Sequence, residues 1–252
     1  MSSPHTATVD KYLEAIHYIA AEGEVVRPSR LAYWLSVSAP TVSDALVRLK
    51  RDGWVEIGTD RSVTLTESGE STATGLVRRH RILERWLTDV LGFDWATADV
   101  EADRISSAVS DVVVDQIDLS MGSPATCPHG NVIPGRDAPY GVLMALADLE
   151  LDTPATVRRI SEVAEHEAPA LLSILAEHSI KEGSEVTVVE SDLGPNDVAL
   201  VVAGESLTLS LEAARLIWVE REALRNTYAN GRAVPRSDSS PLVSNRGFRQ
   251  LP

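Results

Sequence analysis

Cysteine is all but absent: Cys127 is the single one in 252 residues, so no intramolecular disulfide can form, in keeping with a reducing compartment. Aromatic side chains are also scarce, and 2 Phe with 5 Tyr are too few for an aromatic groove that grips a proline-rich segment. Long apolar runs are missing as well. Val198 to Ala203 is among the longest, far below the roughly 20 residues of a membrane span. Met1 to Thr8 has no basic stretch leading into an apolar one. A soluble, cytoplasmic chain without a membrane partner is therefore expected. No nucleophile elbow, phosphate-binding glycine loop or HExxH pair occurs, so an enzyme is not expected. Positive charge is short too. The net charge is −14, which disfavours nucleic acid unless cations are gathered locally. The acidity is concentrated in residues 141–223, with 16 acidic against 5 basic side chains, whereas 224–252 carries 5 basic and 1 acidic.

What is present starts with 44% hydrophobic residues, enough for a substantial core and for one to three domains. From Val9 to Ala21, the apolar residues Tyr12, Leu13, Ile16 and Ile19 recur at helical spacing, and Gly23 ends the run. Pro28-Ser29 announces a second helix that carries Leu31, Leu35 and Val37. A third follows Ser38-Ala39-Pro40-Thr41, with proline in its first turn and Val42, Leu46 and Leu49 inward. Gly53 closes it. Trp54 to Ile57 and Ser62 to Thr66 then alternate with period two around a turn at Gly58 to Arg61, as a hairpin does. Two short helices and a hairpin make a winged helix-turn-helix over residues 1–72, a double-stranded DNA reader whose second helix enters the major groove. Its expected DNA contacts are Arg27, Ser38, Pro40, Thr41, Ser43, Asp44, Arg48 and Arg51, with Arg61 at the wing tip.

Residues 73–140 read as a helical dimerisation domain. A long helix covers 68–91, two more cover 96–109 and 111–119, and a Pro/Gly loop runs from Pro124 to Pro139. So much apolar helix surface beside a small DNA-binding unit predicts a homodimer, which suits a palindromic operator. Within 148–223 the texture changes to short strands at 155–160, 185–190, 198–202 and 206–209, with a helix at 168–177, predicting a small antiparallel β-barrel. The fold class is thus mainly α with a small β-barrel. Residues 224–252, poor in large apolar side chains, are expected to be a disordered basic tail.

Three domains in this order, with SAPTVSD at 38–44, VRRHRILER at 77–85 and CPHGNVIPG at 127–135, resemble the diphtheria toxin repressor (DtxR) family of metal-dependent regulators, over roughly residues 8–222. The resemblance implies a transcriptional regulator of iron or manganese homeostasis genes, with an SH3-like, FeoA-like third domain. It also implies Mn²⁺ or Fe²⁺ as the activating metal, Zn²⁺ being a further possibility. His80 and Glu84, four apart on one helix, share a face. With Asp99 and Glu167 at family ligand positions, they form the implied metal set. Arg81 and Asn131 match residues that hold an anion beside it. The family's second, principal metal site falls on Lys11, Asp103, Ser106 and Ser107, where an ammonium and two hydroxyls are poor ligands. An alternative reading follows, in which a Lys11–Asp103 ion pair replaces that metal and holds a metal-independent DNA-binding form. Cys127 and His129 are read mainly as packing residues of the loop, with metal binding or redox sensing as alternatives. Asp44 stands where a glutamine is common in the family.

Overall fold

A computed structural model describes residues 6–190, 194 and 196–221, so the expected basic tail lies outside the described residues. Helix α1 (Ala7–Ala21), α2 (Pro28–Trp34) and α3 (Ala39–Arg51) precede a two-stranded antiparallel wing, β1 (Val55–Ile57) and β2 (Val63–Leu65). Ser38 caps α3: its Oγ accepts from Thr41 N, and Pro40 occupies the first turn, where no intrahelical N–H is needed. Leu13, Ile16 and Ile19 of α1 close one core with Leu31, Val42, Leu46, Leu49, Val55 and Val63. Val37, expected on the second helix, lies beyond the end of α2 and is exposed.

Next comes α4 (Glu67–Asp89), capped by Thr66, whose Oγ accepts from Gly69 N. Gly69 lets the helix run against the wing, because a Cβ there would overlap the Trp54 carbonyl. Against α4 lie α5 (Trp95–Ser106) and α6 (Asp111–Ser120), with Leu83, Leu87, Ala98 and Ala102 buried in one small core and Ile82, Val114 and Ile133 in another.

The C-terminal part is a six-stranded antiparallel sheet of β3 (Met144–Ala145), β4 (Pro154–Ile160), β5 (Glu185–Val189), β6 (Asp197–Val202), β7 (Glu205–Ser210) and β8 (Ile217–Arg221). Its strand order is β3-β8-β4-β5-β6-β7. Helices α7 (Glu162–Glu167), α8 (Pro169–Glu177) and α9 (Leu211–Arg215) connect the strands. Closure into a barrel is not seen. Edge strands β3 and β7 do not pair with each other among the described residues, and β3 has only two residues to offer. No helix among the described residues is long and apolar enough to cross a membrane.

The loop before β3 is sewn onto this sheet. Ile160 N donates to His129 O at 2.8 Å, and Asn131 Nδ2 donates to Ile160 O at 3.0 Å. Gly130 sits between them with φ +81°, and a Cβ on it would collide with the Arg158 carbonyl. Both the left-handed backbone and the close approach require glycine. Gly130→Ala is expected to lower unfolding stability by about 2 kcal/mol or more, read from urea midpoints at unchanged slope.

Candidate metal centre

One turn of α4 carries three buried ionisable side chains, His80, Arg81 and Glu84. Burying them without partners would cost several kcal/mol each, so each is met from a different segment. Arg81 Nε and Nη2 donate to Glu162 Oε1 of α7, at 3.1 and 2.5 Å, and Nη1 reaches the Val132 carbonyl. Opposing burial, the Glu162 charge raises the Arg81 pKa, and Arg81 in turn holds the buried Glu162 carboxyl below its usual range.

His80 faces α5. Its Nε2 lies 3.2 Å from Asp99 Oδ1 and its Nδ1 3.3 Å from Asp103 Oδ1. Burial alone would lower the imidazole pKa, but the hydrogen bonds to Asp103 and Asp99, with the Glu84 charge, raise it well above 6.5. Asp103 is correspondingly lowered, first by its bond to His80. These groups line a cavity of about 270 Å³ that also receives Glu14 from α1 and Glu162 and His166 from α7. Burial, with Asp103 and Asp10 nearby, pushes the Glu14 carboxyl up to about 7, against the opposing charges of His80 and Lys11. An imidazole and several carboxylates from three separate segments form a nitrogen and oxygen donor set that suits Mn²⁺ or Fe²⁺.

Glu84 turns the other way. Its Oε1 is 2.8 Å from His129 Nδ1, and ligand atoms of Glu84, Cys127 and His129 all lie within 4.8 Å of one another, fully buried. Trp95 packs edge-on against the His129 ring at 4.7 Å. Desolvation raises the Cys127 thiol to about 12, so an unliganded Cys127 is a protonated, inert thiol at neutral pH. Carboxylate, thiol and imidazole together make a second donor set, softer than the first.

The expected metal ligands are thus divided. His80 and Asp99 come together, while Glu84 joins Cys127 and His129, and Glu167 forms an ion pair with Arg30 of α2. Asp103 belongs with His80. Ser106 Oγ donates to Asp103 O, and Ser107 only caps α5. No Lys11–Asp103 ion pair is present among the described residues, and Lys11 is exposed. Arg81 and Asn131, the expected anion holders, are occupied by protein: Asn131 Oδ1 accepts from Arg159, and Glu162 supplies the negative charge to Arg81. Sequence reasoning missed Glu14, which lies one turn after Lys11. The Cys-x-His spacing at 127–129, read mainly as loop packing, brings both side chains beside Glu84.

Ser38, Pro40, Thr41, Ser43, Asp44, Arg48 and Arg51 of α3 and its cap, the expected DNA contacts, are all exposed. Arg51 is paired with Asp52. Arg27 Nη1 donates to the Asp60 carbonyl at 2.8 Å, which ties the start of α2 to the wing turn, and Arg61 stands at that turn with φ 66°.

Residues 5–63 match the N-terminal DNA binding domain of iron dependent repressors, 66–135 match their metal binding and dimerisation domain, and 144–221 match the FeoA domain. The chain is 31% identical to the iron-dependent repressor IdeR of Mycobacterium leprae over 225 residues, 85% of this chain and 97% of that protein. It is also 31% identical to the diphtheria toxin repressor of Corynebacterium diphtheriae over 222 residues, 84% and 96% of the two chains. Among solved structures, a manganese-dependent transcriptional repressor in complex with manganese superposes with a TM-score of 0.74 at 32% identity, covering 84% of this chain and 99% of that one.

The raised pKa values fix a pH dependence for the metal-free protein. Protonated Glu14 and charged His80 are both favoured by the fold, so their stabilisation is complete at low pH and is lost as pH rises through the folded values. For Glu14 that window runs from 4.5 to about 7. Stability without metal is expected to fall across this range, and Glu14→Gln to flatten the fall in a series of denaturant titrations.

Proposed function

The chain belongs to the family of iron-dependent repressors that includes IdeR and the diphtheria toxin repressor, and on that premise we propose that it is a homodimeric, metal-dependent transcriptional repressor of iron or manganese homeostasis genes, acting in the cytoplasm. The observation that carries this is the cavity in which Glu14 of the DNA-binding unit meets His80, Asp99 and Asp103 of the α4–α5 pair. A divalent cation, Mn²⁺ or Fe²⁺, supplies there the positive charge that lets these carboxylates converge, with Zn²⁺ also suited to the Glu84, Cys127 and His129 set.

A cation held by Glu14 together with His80, Asp99 and Asp103 would tie α1 to α4 and α5. Because α1 packs against the core that seats α3, fixing Glu14 fixes the recognition helix. To take a metal, His80 must give up its ring proton and Glu14 its carboxyl proton, so metal affinity rises with pH over the neutral range. Val112, Val113 and Leu119 on α6, Val100 on α5 and Val90 and Leu91 after α4 are exposed apolar side chains, of the kind a two-fold partner would cover. That pairing presents two copies of α3 to successive major-groove segments of an operator. The metal-independent reading built on Lys11 and Asp103 is not favoured, since His80 takes Asp103 and the relatives are metal-dependent repressors.

EDTA is expected to abolish binding of the purified protein to its own upstream DNA, with Mn²⁺ or Fe²⁺ restoring it, in a fluorescence anisotropy titration. His80→Ala should lower metal-supported affinity by about tenfold or more, while Cys127→Ala should keep the metal response and lose thermal stabilisation by Zn²⁺. Full operator binding in EDTA would refute the metal-dependent reading.

A further inference from the structure

This inference rests on the proposal that the chain binds an operator, and it concerns which base the recognition helix reads. On the exposed face of α3 most polar side chains are already committed. Ser38 Oγ and Thr41 Oγ1 share a hydrogen bond at 2.8 Å, Ser43 Oγ donates to the Ala39 carbonyl at 3.0 Å, and Arg51 holds Asp52. Asp44 differs. It is exposed in mid-helix and has no hydrogen bond or ion pair among the described residues. Arg48, one turn on, is placed to pair with it, yet no such pair forms. Val47, 68% exposed, lies on the same face.

A carboxylate only accepts hydrogen bonds. Most polar atoms it meets in a major groove are acceptors too: phosphate oxygens, guanine N7 and O6, adenine N7 and thymine O4. The donors are cytosine N4–H and adenine N6–H. At adenine the neighbouring N7 lone pair repels the second carboxylate oxygen, whereas at cytosine the neighbour is a C–H edge. We propose that Asp44 is a specificity residue that accepts a hydrogen bond from cytosine N4 in each half-site and rejects the other bases by repulsion. The same charge opposes phosphate, so Asp44 also weakens binding to DNA without the site.

The test is selection of sites from a randomised duplex pool by the full-length, Mn²⁺-loaded protein, alongside Asp44→Asn and Asp44→Ala. Because Asp44 is exposed and makes no hydrogen bond or ion pair among the described residues, both variants are expected to keep the wild-type unfolding midpoint. Wild type should enrich cytosine at one position per half-site. Asp44→Asn should move that position to adenine, whose N6 and N7 an amide pairs with, and Asp44→Ala should lose the preference there alone. On a fixed operator, replacing that cytosine should weaken wild type by about tenfold and leave Asp44→Ala almost unaffected. Identical preferences in all three proteins overturn the assignment and leave operator binding intact. No common site for wild type overturns the operator reading itself, and this assignment with it.

Discussion

Three ionisable side chains buried within one turn of α4 constrain everything around them. His80, Arg81 and Glu84 cannot be left without partners, and α4 alone cannot supply them, so the chain must bring α5, α7 and the 127–131 loop to its surface. The Arg81–Glu162 pair shows the stakes. Both side chains are less than a tenth exposed, and deleting one partner from so buried a pair costs about 3–5 kcal/mol because the other charge stays behind. Folding of the third domain onto the helical one is thus part of neutralising α4. The same requirement yields two donor sets on neighbouring flanks of a single helix.

The flank facing α1 stores positive charge in the form of protons. Without a cation, the charge on His80 and the proton on Glu14 moderate repulsion among the carboxylates of the cavity. A metal taken up in this cavity would compete with those protons, so its uptake would depend on displacing them at the ambient pH. Asp99 and Asp103 both pair with the His80 ring, so the imidazole proton and charge are shared with the carboxylates that a cation would meet. By contrast, the Glu84, Cys127 and His129 flank is fully buried, which suits a site that consolidates the loop rather than one that exchanges metal quickly.

Much of this was legible in the sequence. Pro40 in the first turn of α3, Gly53 after it and the period-two hairpin marked the winged helix-turn-helix, and alternating apolar residues marked β4 to β7. The five-residue elements α9 and β8 passed unread, because no glycine or proline separates them and neither is long enough to show a period. Edge strand β3, with two residues, has no sequence signature at all. At the site, the i, i+4 spacing correctly placed His80 and Glu84 on one side of α4 but could not show their divergence. Four residues turn a helix by about 400°, leaving a residual of about 40° that aims the two side chains at different neighbours. Glu162 and Glu167 are five apart on α7, a turn of about 500° that puts them some 140° apart. Hence Glu162, and not the expected Glu167, faces the cavity while Glu167 meets Arg30.

Helix α1 is held at two points by two different agents. In its middle Glu14 enters the cavity beside His80, and at its C-terminal end Glu22 accepts a bidentate pair from Arg159 of β4, at 2.9 and 2.8 Å. Nearby, the His166 ring of α7 stacks on Trp34 of α2 with centroids 4.4 Å apart, and Arg30 bridges Glu24 and Glu167. Each of these contacts is modest, an aromatic stack contributing about 0.5–1.5 kcal/mol and a partly exposed ion pair less. Together they join the DNA-binding unit to the third domain along the flank where the cavity opens. The consequence is a division of labour: the third domain restrains the winged helix-turn-helix with contacts that need no metal, and a cation in the cavity would have only to fix the remaining freedom of α1. A sensor arranged this way needs only a small differential binding energy from the metal to switch its recognition helices between loosely and firmly held states.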